Sequence, residues 1–201
     1  LFGGWNDEEF GNGKGLDHFV NEAGGIDVII GGPPCQAYSV AGRVRDENGM
    51  RDDYRNYLFE HYLNVVNRYR PKVFVFENVP GILSAAPDGT PITDLIRQGF
   101  SNIGYDIIDD LRIAKVNASD FGVPQNRERM IIVGIRSDLP YEFKIPSTEP
   151  YKDCDVTCKT AIEVPPIPSD APNNELTKQS ARVVERLKHI KEGENAWTAD
   201  L

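Results

Sequence analysis

Ile26-Asp27-Val28-Ile29-Ile30-Gly31-Gly32-Pro33-Pro34-Cys35-Gln36 is the stretch on which the reading of this chain turns. An apolar run of strand length breaks into two glycines and two prolines, and so delivers a cysteine to the tip of a predicted buried strand. The prolines fix their own φ angles, lack N–H donors and hold the preceding residue extended, which presents Cys35 in a stiff turn. Gly31 and Gly32 let backbone or ligand approach closely. A cysteine so placed is either a nucleophile at a strand end or a small buried hydrophobe, and the hexamer alone leaves both open.

Working outward, Val73-Phe74-Val75-Phe76 is a second apolar run, followed at once by Glu77-Asn78-Val79-Pro80-Gly81. Between the two runs, Leu58, Phe59, Tyr62, Leu63, Val65, Val66 and Tyr69 recur at helical spacing up to Arg70-Pro71. Strand, helix, strand predicts a right-handed parallel crossover with both strands ending on one edge. Cys35 and Glu77 should then face a common crevice at the carboxyl ends, a solvated loop acid being the alternative for Glu77. A third segment, Phe121-Gly122-Val123-Pro124-Gln125-Asn126-Arg127-Glu128-Arg129, runs into the apolar Met130-Ile131-Ile132-Val133-Gly134-Ile135-Arg136. In an extended chain Gln125, Arg127 and Arg129 alternate onto one face. That row suits either a grip on carbonyl, carboxylate or phosphate oxygens or a strand entry with solvated arginines.

Taken together, Pro33-Pro34-Cys35-Gln36, Glu77-Asn78-Val79 and Gln125-x-Arg127-x-Arg129 resemble the motifs of the cytosine-5 DNA methyltransferases, in that family's order. The segment Ala37-Tyr38-Ser39-Val40-Ala41-Gly42-Arg43 resembles the family's mobile catalytic loop, with Tyr38 where many members have phenylalanine. Arg55-Asn56-Tyr57-Leu58-Phe59 resembles the start of the helix after it. The resemblance is strong over about residues 26–136 and weaker beyond, through Lys159-Thr160-Ala161-Ile162.

The resemblance implies an α/β fold with a Rossmann-like S-adenosylmethionine-dependent methyltransferase sheet. The implied activity is DNA (cytosine-5-)-methyltransferase on a cytosine flipped out of double-stranded DNA. Carbon 5 of cytosine is too weak a nucleophile to take a methyl group unaided, so a thiolate must first add at carbon 6. Cys35 is the implied nucleophile and Glu77 the acid partner at ring nitrogen 3, a role that calls for burial of its carboxyl. Arg129 is implied at the cytosine carbonyl oxygen, and Arg127 beside the thiolate and the closed loop. Pro34, Gln36, Ser39, Arg43, Asn78 and Gln125 are the further substrate-binding positions, with Arg45, Arg51 and Arg55 as weaker phosphate contacts. S-adenosyl-L-methionine is the implied cofactor, for which Leu58 matches a position near the adenine. A restriction enzyme is the implied functional partner. The alternatives are a transfer-RNA cytosine-5 methyltransferase and a non-catalytic fragment that binds a partner supplying the cofactor half.

Composition qualifies this picture. The chain has 201 residues, 40% of them hydrophobic, enough for one sizeable core. Its net charge of −9 is the wrong sign for affinity built on phosphate contacts, so a local cleft or a separate DNA-reading region must supply it. The expected organisation is a partial catalytic domain over residues 1–150, lacking the usual glycine-rich cofactor motif, and residues 151–201 as a linker and helix leading toward an absent target-recognition region. The sheet is thus expected to be incomplete at both ends. Gly3-Gly4 and Gly11-x-Gly13-x-Gly15 read as surface loop rather than as the cofactor turn, because about thirty residues before Pro33 are too few for the usual two strand–helix units.

Residues 92–103 predict a helix, and 106–116 one longer or two adjoining strands. The proline-rich 164–172 predicts an extended linker, and 176–192 a helix closed by Gly193. Cys154 and Cys158 lack a second pair at suitable spacing, so no metal is expected. Three cysteines point to a reducing compartment, and neither a signal peptide nor a membrane span is apparent. The expected location is cytoplasmic, on the nucleoid if the source is bacterial.

Overall fold

The computed structural model describes residues 2–34, 58–86, 89–175, 177–191 and 193–195. Leu1–Cys158 forms one compact unit and Lys159–Leu201 a second.

The first unit opens with a small antiparallel hairpin, β1 (Trp5–Asp7) and β2 (Gly11–Gly13), where a surface loop was expected. Asp7 closes its turn by accepting the Glu9 and Phe10 amides on Oδ1. Helix α1 (Leu16–Glu22) comes next. It is tied down by Asp17, whose carboxylate accepts from Arg68 Nε at 2.8 Å and from the Tyr69 hydroxyl at 2.9 Å.

The crossover then appears as predicted in its pairing. Strand β3 (Val28–Gly31) and strand β4 (Val73–Asn78) are parallel, with Ile29 opposite Phe74 and Gly31 opposite Phe76. Between them runs α2 (Leu58–Tyr69), which buries Phe59, Tyr62 and Val66, one per turn along a single stripe. Arg70 closes the helix in the left-handed region at φ 50°, and Pro71 prevents its continuation. Strand β4 alternates: Phe74, Phe76 and Asn78 are buried under the helices, while Val73, Val75 and Glu77 point to the other face and remain partly exposed.

Helix α3 (Ile92–Asn102) fills the predicted span and buries Ile92, Ile96 and Phe100. The Phe100 ring stacks on Phe74 with centroids 4.0 Å apart, and Tyr62 meets Phe74, Phe76 and Phe100 edge to face. These rings form the centre of the core. The predicted strand region after α3 divides into β5 (Tyr105–Ile107) and β6 (Lys115–Asn117), separated by a single-turn helix at Leu111–Ala114.

Strand β7 (Glu128–Arg136) runs antiparallel to β4. Its other edge is shared, β5 pairing with its C-terminal part and β6 with its N-terminal part. The order of the main path is β3-β4-β7-β5. Because β7 is reversed, its first residues lie at the edge where the parallel pair ends, and Asn78 sits opposite Met130.

In the second unit a short helix, α4 (Cys158–Glu163), begins at the boundary and precedes a cis Val164-Pro165 bond and turns. Helix α5 (Ala181–Lys188) is shorter than expected, since Ser180 caps it by accepting the Val183 amide and so fixes a later start. Among the described residues no helix is long and apolar enough to cross a membrane. Nor does any group of three or more His, Cys, Asp or Glu side chains among them suit a metal ion.

Candidate active site

Three chain segments converge on the carboxyl edge of β3 and β4. The first is the Gly31-Gly32-Pro33-Pro34 exit from β3, the second Glu77-Asn78 at the end of β4, and the third Arg129 at the start of β7. Glu77 pairs in register with Ile131, so the side chain of Arg129, two residues earlier on the same strand face, reaches back along the sheet toward the carboxylate. Its Nε lies 2.9 Å from Glu77 Oε1. A further guanidinium nitrogen of Arg129 donates to the Glu128 carbonyl at 2.7 Å, which fixes the plane of the fork. The Glu77 side chain keeps 39% of its surface accessible and Arg129 24%. The burial expected of Glu77 is therefore only partial among the described residues. The carboxylate is held by an ion pair rather than enclosed by apolar walls.

Asn78 faces the opposite way and is buried to 1% exposure. Its Oδ1 accepts the Val79 amide at 2.9 Å, while Nδ2 donates a long 3.5 Å contact to the Pro33 carbonyl. A residue expected to bind substrate is thus turned inward, and it ties the β3 exit to the end of β4. Gly32 completes the junction: a Cβ there would stand 2.9 Å from Glu77 Oε2, so the carboxylate rests where any other residue's side chain would begin.

Of the arginine row, only Arg129 joins Glu77. Strand β7 starts at Glu128, so Gln125 and Arg127 precede it. Gln125 lies in a bend whose amide bonds to the Val123 carbonyl at 2.7 Å, and the expected alternation of Gln125, Arg127 and Arg129 along one strand does not extend that far back. Arg127 has an exposed side chain, and its backbone is fixed on both sides: its amide donates to Asn117 Oδ1 at 3.0 Å and its carbonyl accepts from Ala118. Asn117 also accepts the Ser119 amide and donates to Asn126 Oδ1 at 2.8 Å, which holds the approach to β7 in place. Sequence reading passed over Asn117, although an asparagine before Ala118-Ser119-Asp120 is a cap signal.

Tyr62 is a second residue that sequence reading assigned only to a helix stripe. Its hydroxyl reaches the carbonyls of Val75 at 2.8 Å and Ile29 at 3.2 Å. Burial pushes the phenol well above its ordinary value, so it stays a neutral donor.

Pro34 is exposed at the end of the described β3 exit. Cys35, Gln36, Ser39 and Arg43, together with Arg45, Arg51 and Arg55, lie outside the described residues. Leu58 opens α2 and is half-buried. It is one apolar side chain, and the glycines near the N-terminus lie in or beside the exposed β1–β2 hairpin and at the N-cap of α1. The described residues accordingly do not by themselves make an S-adenosylmethionine pocket.

The α/β sheet thus brings Pro33-Pro34 at the exit of its parallel pair to the same edge as an ion-paired glutamate and arginine. The chain belongs to the C-5 cytosine-specific DNA methylase family, whose model matches residues 5–200. It is 43% identical over 136 residues to the Type II methyltransferase M.Bpa9945I of Bacillus paralicheniformis, covering 66% of this chain and 30% of that protein. It is 37% identical over 180 residues to the Type II methyltransferase M.BbvI of Brevibacillus brevis, covering 89% of this chain and 45% of that one. Among solved structures it is similar to a protein described as a DNA modification methyltransferase encoded within an E. coli prophage. That similarity has a TM-score of 0.54 at 31% identity and covers 82% of this chain and 42% of the other. The chain therefore spans less than half the length of these relatives.

Proposed function

We propose that this chain carries the base-activating half of a DNA (cytosine-5-)-methyltransferase, with Cys35 as nucleophile, Glu77 as acid partner and Arg129 as the contact to the cytosine carbonyl oxygen. The observation that carries the reading is the 2.9 Å Arg129–Glu77 pair at the edge reached by the Pro33-Pro34 turn. A proton donor for ring nitrogen 3 and a cation for the neighbouring carbonyl oxygen must stand side by side, because those two atoms are adjacent on one edge of cytosine. Glu77 and Arg129 do stand side by side, and Cys35 comes two residues after the carbonyl that Asn78 holds.

In this mechanism the thiolate sulfur of Cys35 bonds to carbon 6 and the ring's 5,6 double bond opens. Electron density moves to carbon 5 as Glu77, in its protonated form, donates to nitrogen 3, while Arg129 steadies the charge on the carbonyl oxygen. When bound, S-adenosylmethionine, assigned on family membership, would supply the electrophilic methyl group for carbon 5 and leave as S-adenosylhomocysteine. Transfer of the carbon 5 proton to solvent then restores the double bond and expels the thiolate. The target cytosine must leave the stack to reach these groups, at an unstacking cost of a few kcal/mol. Arg43 and Ser39 are proposed as contacts to the flanking backbone, Gln36 and Gln125 as further substrate contacts, and Leu58 as a contact of the cofactor adenine. The relatives' designation as Type II methyltransferases supports a restriction enzyme as functional partner.

The test is covalent trapping of the intact protein on double-stranded 5-fluorocytosine DNA with S-adenosylmethionine, where fluorine blocks the final proton loss. A denaturation-resistant adduct that disappears in Cys35→Ala supports the reading. No adduct from a folded, cofactor-binding protein overturns it.

A further inference from the structure

We infer that Tyr62 is a positioning residue that sets the spacing between the turn at residues 31–34 and Glu77. Packing alone does not explain this tyrosine. Its ring lies edge to face against Phe76 at 5.3 Å and against Phe74 and Phe100, a site that a phenylalanine would fill. Burying a hydroxyl in such a site costs free energy unless it is bonded. The bond it makes is specific, because the hydroxyl spans the Ile29 carbonyl of β3 and the Val75 carbonyl of β4. These residues sit at the two middle rungs of the parallel pair, Ile29 opposite Phe74 and Ile30 opposite Val75, one rung before the final Gly31–Phe76 pairing.

The ring also supports the exit from β3. A Cβ on Gly31 would stand 2.5 Å from Tyr62 Cε2, so the ring occupies the space directly beneath the end of the strand. One residue further on, Gly32 backs onto Glu77 Oε2. Tyr62, Gly31, Gly32 and Glu77 thus form a contiguous stack from the helix layer to the acid. The turn that leads to Cys35 has its height above the sheet set by the ring and its lateral distance from β4 set by the hydroxyl. Reactive geometry is sensitive to such placement, a shift of about 1 Å being able to cost about a hundredfold in rate.

This inference rests on the proposed function, and the experiment separates the two. The intact protein is compared with Tyr62→Phe, Gly31→Ala and Tyr69→Phe in the rate of adduct formation on 5-fluorocytosine DNA. DNA and S-adenosylmethionine are kept saturating, and dissociation constants and thermal midpoints are measured alongside. Tyr62→Phe should slow adduct formation about tenfold while both dissociation constants stay within about twofold. Gly31→Ala, which pushes the ring from its place, should do the same and decides the matter if Tyr62→Phe does not fold. Tyr69→Phe loses a hydroxyl bond at the far end of the same helix and should keep the wild-type rate. Wild-type rates in both Tyr62→Phe and Gly31→Ala, or losses that only track the thermal midpoint as in Tyr69→Phe, overturn the inference alone. A wild-type protein that forms no Cys35 adduct overturns the proposed function and this inference with it.

Discussion

Arg129 and Glu77 face each other across antiparallel strands, with Nε 2.9 Å from Oε1, although 51 intervening residues separate them in the chain. The pair joins the end of one strand to the beginning of another. Each partner holds the other in place before any base arrives, so the cost of orienting two flexible side chains is met in the folded protein.

Arg129→Lys keeps the charge and loses the planar fork that also grips the Glu128 carbonyl. Single-turnover methylation should fall about 10²- to 10³-fold, the loss expected of one aimed donor. Glu77→Gln keeps the shape and removes the acid, and should cost about 10²- to 10⁴-fold. Near-wild-type turnover in either variant would exclude the assigned role.

Asn78 supports two contacts that substitutions can separate. Asn78→Ala leaves the half-buried Val79 amide without its acceptor and should destabilise the protein by about 1 kcal/mol in denaturant titration. Asn78→Asp keeps that acceptor and loses the donor to Pro33. It should lose turnover out of proportion to any loss of stability.

Two glycine-to-alanine changes should have contrasting effects. Gly32→Ala places a methyl 2.9 Å from Glu77 Oε2, whose carboxylate can swing away, so turnover should drop while the thermal midpoint changes little. Gly134→Ala places one 2.1 Å from the Phe74 ring in the packed core. That ring has nowhere to move, and overpacking should cost about 1–3 kcal/mol. Equal effects on stability in the two variants would contradict this division.

Asp17 offers a pH test. The hydrogen bond from Arg68 holds its carboxyl below the ordinary value of 3.8. A depressed folded value means that the contribution is present above the unfolded value and is lost as pH falls through the folded one. The tether of α1 to α2 should therefore persist at neutral pH and release in acid. An NMR titration of Asp17 should show the low value, and Arg68→Gln should return it toward 3.8.

Much of the fold was legible from local pattern. The parallel pair, α2 and α3 could be read from apolar periodicity, because one side of each element must be buried whatever its neighbours are. The limits of α5 were not legible, since Ser180 caps a helix that apolar spacing alone would begin earlier. The N-terminal glycines formed a hairpin for a local reason that composition conceals, namely that Asp7 accepts two amides of the turn.

The sequence by itself determined the chemistry on offer: a cysteine after two prolines, a glutamate at a strand end and arginines at the approach to another strand, each set by residue type and neighbours. The tertiary structure alone decided which of these meet. Reversal of β7 against β4 brings Arg129 rather than Gln125 or Arg127 to Glu77, and the pleat of β4 turns Asn78 inward to Pro33 while Glu77 faces out. The antiparallel direction of β7 and its register against β4 arise from pairing between segments far apart in the chain, which the pattern of β7 alone does not specify.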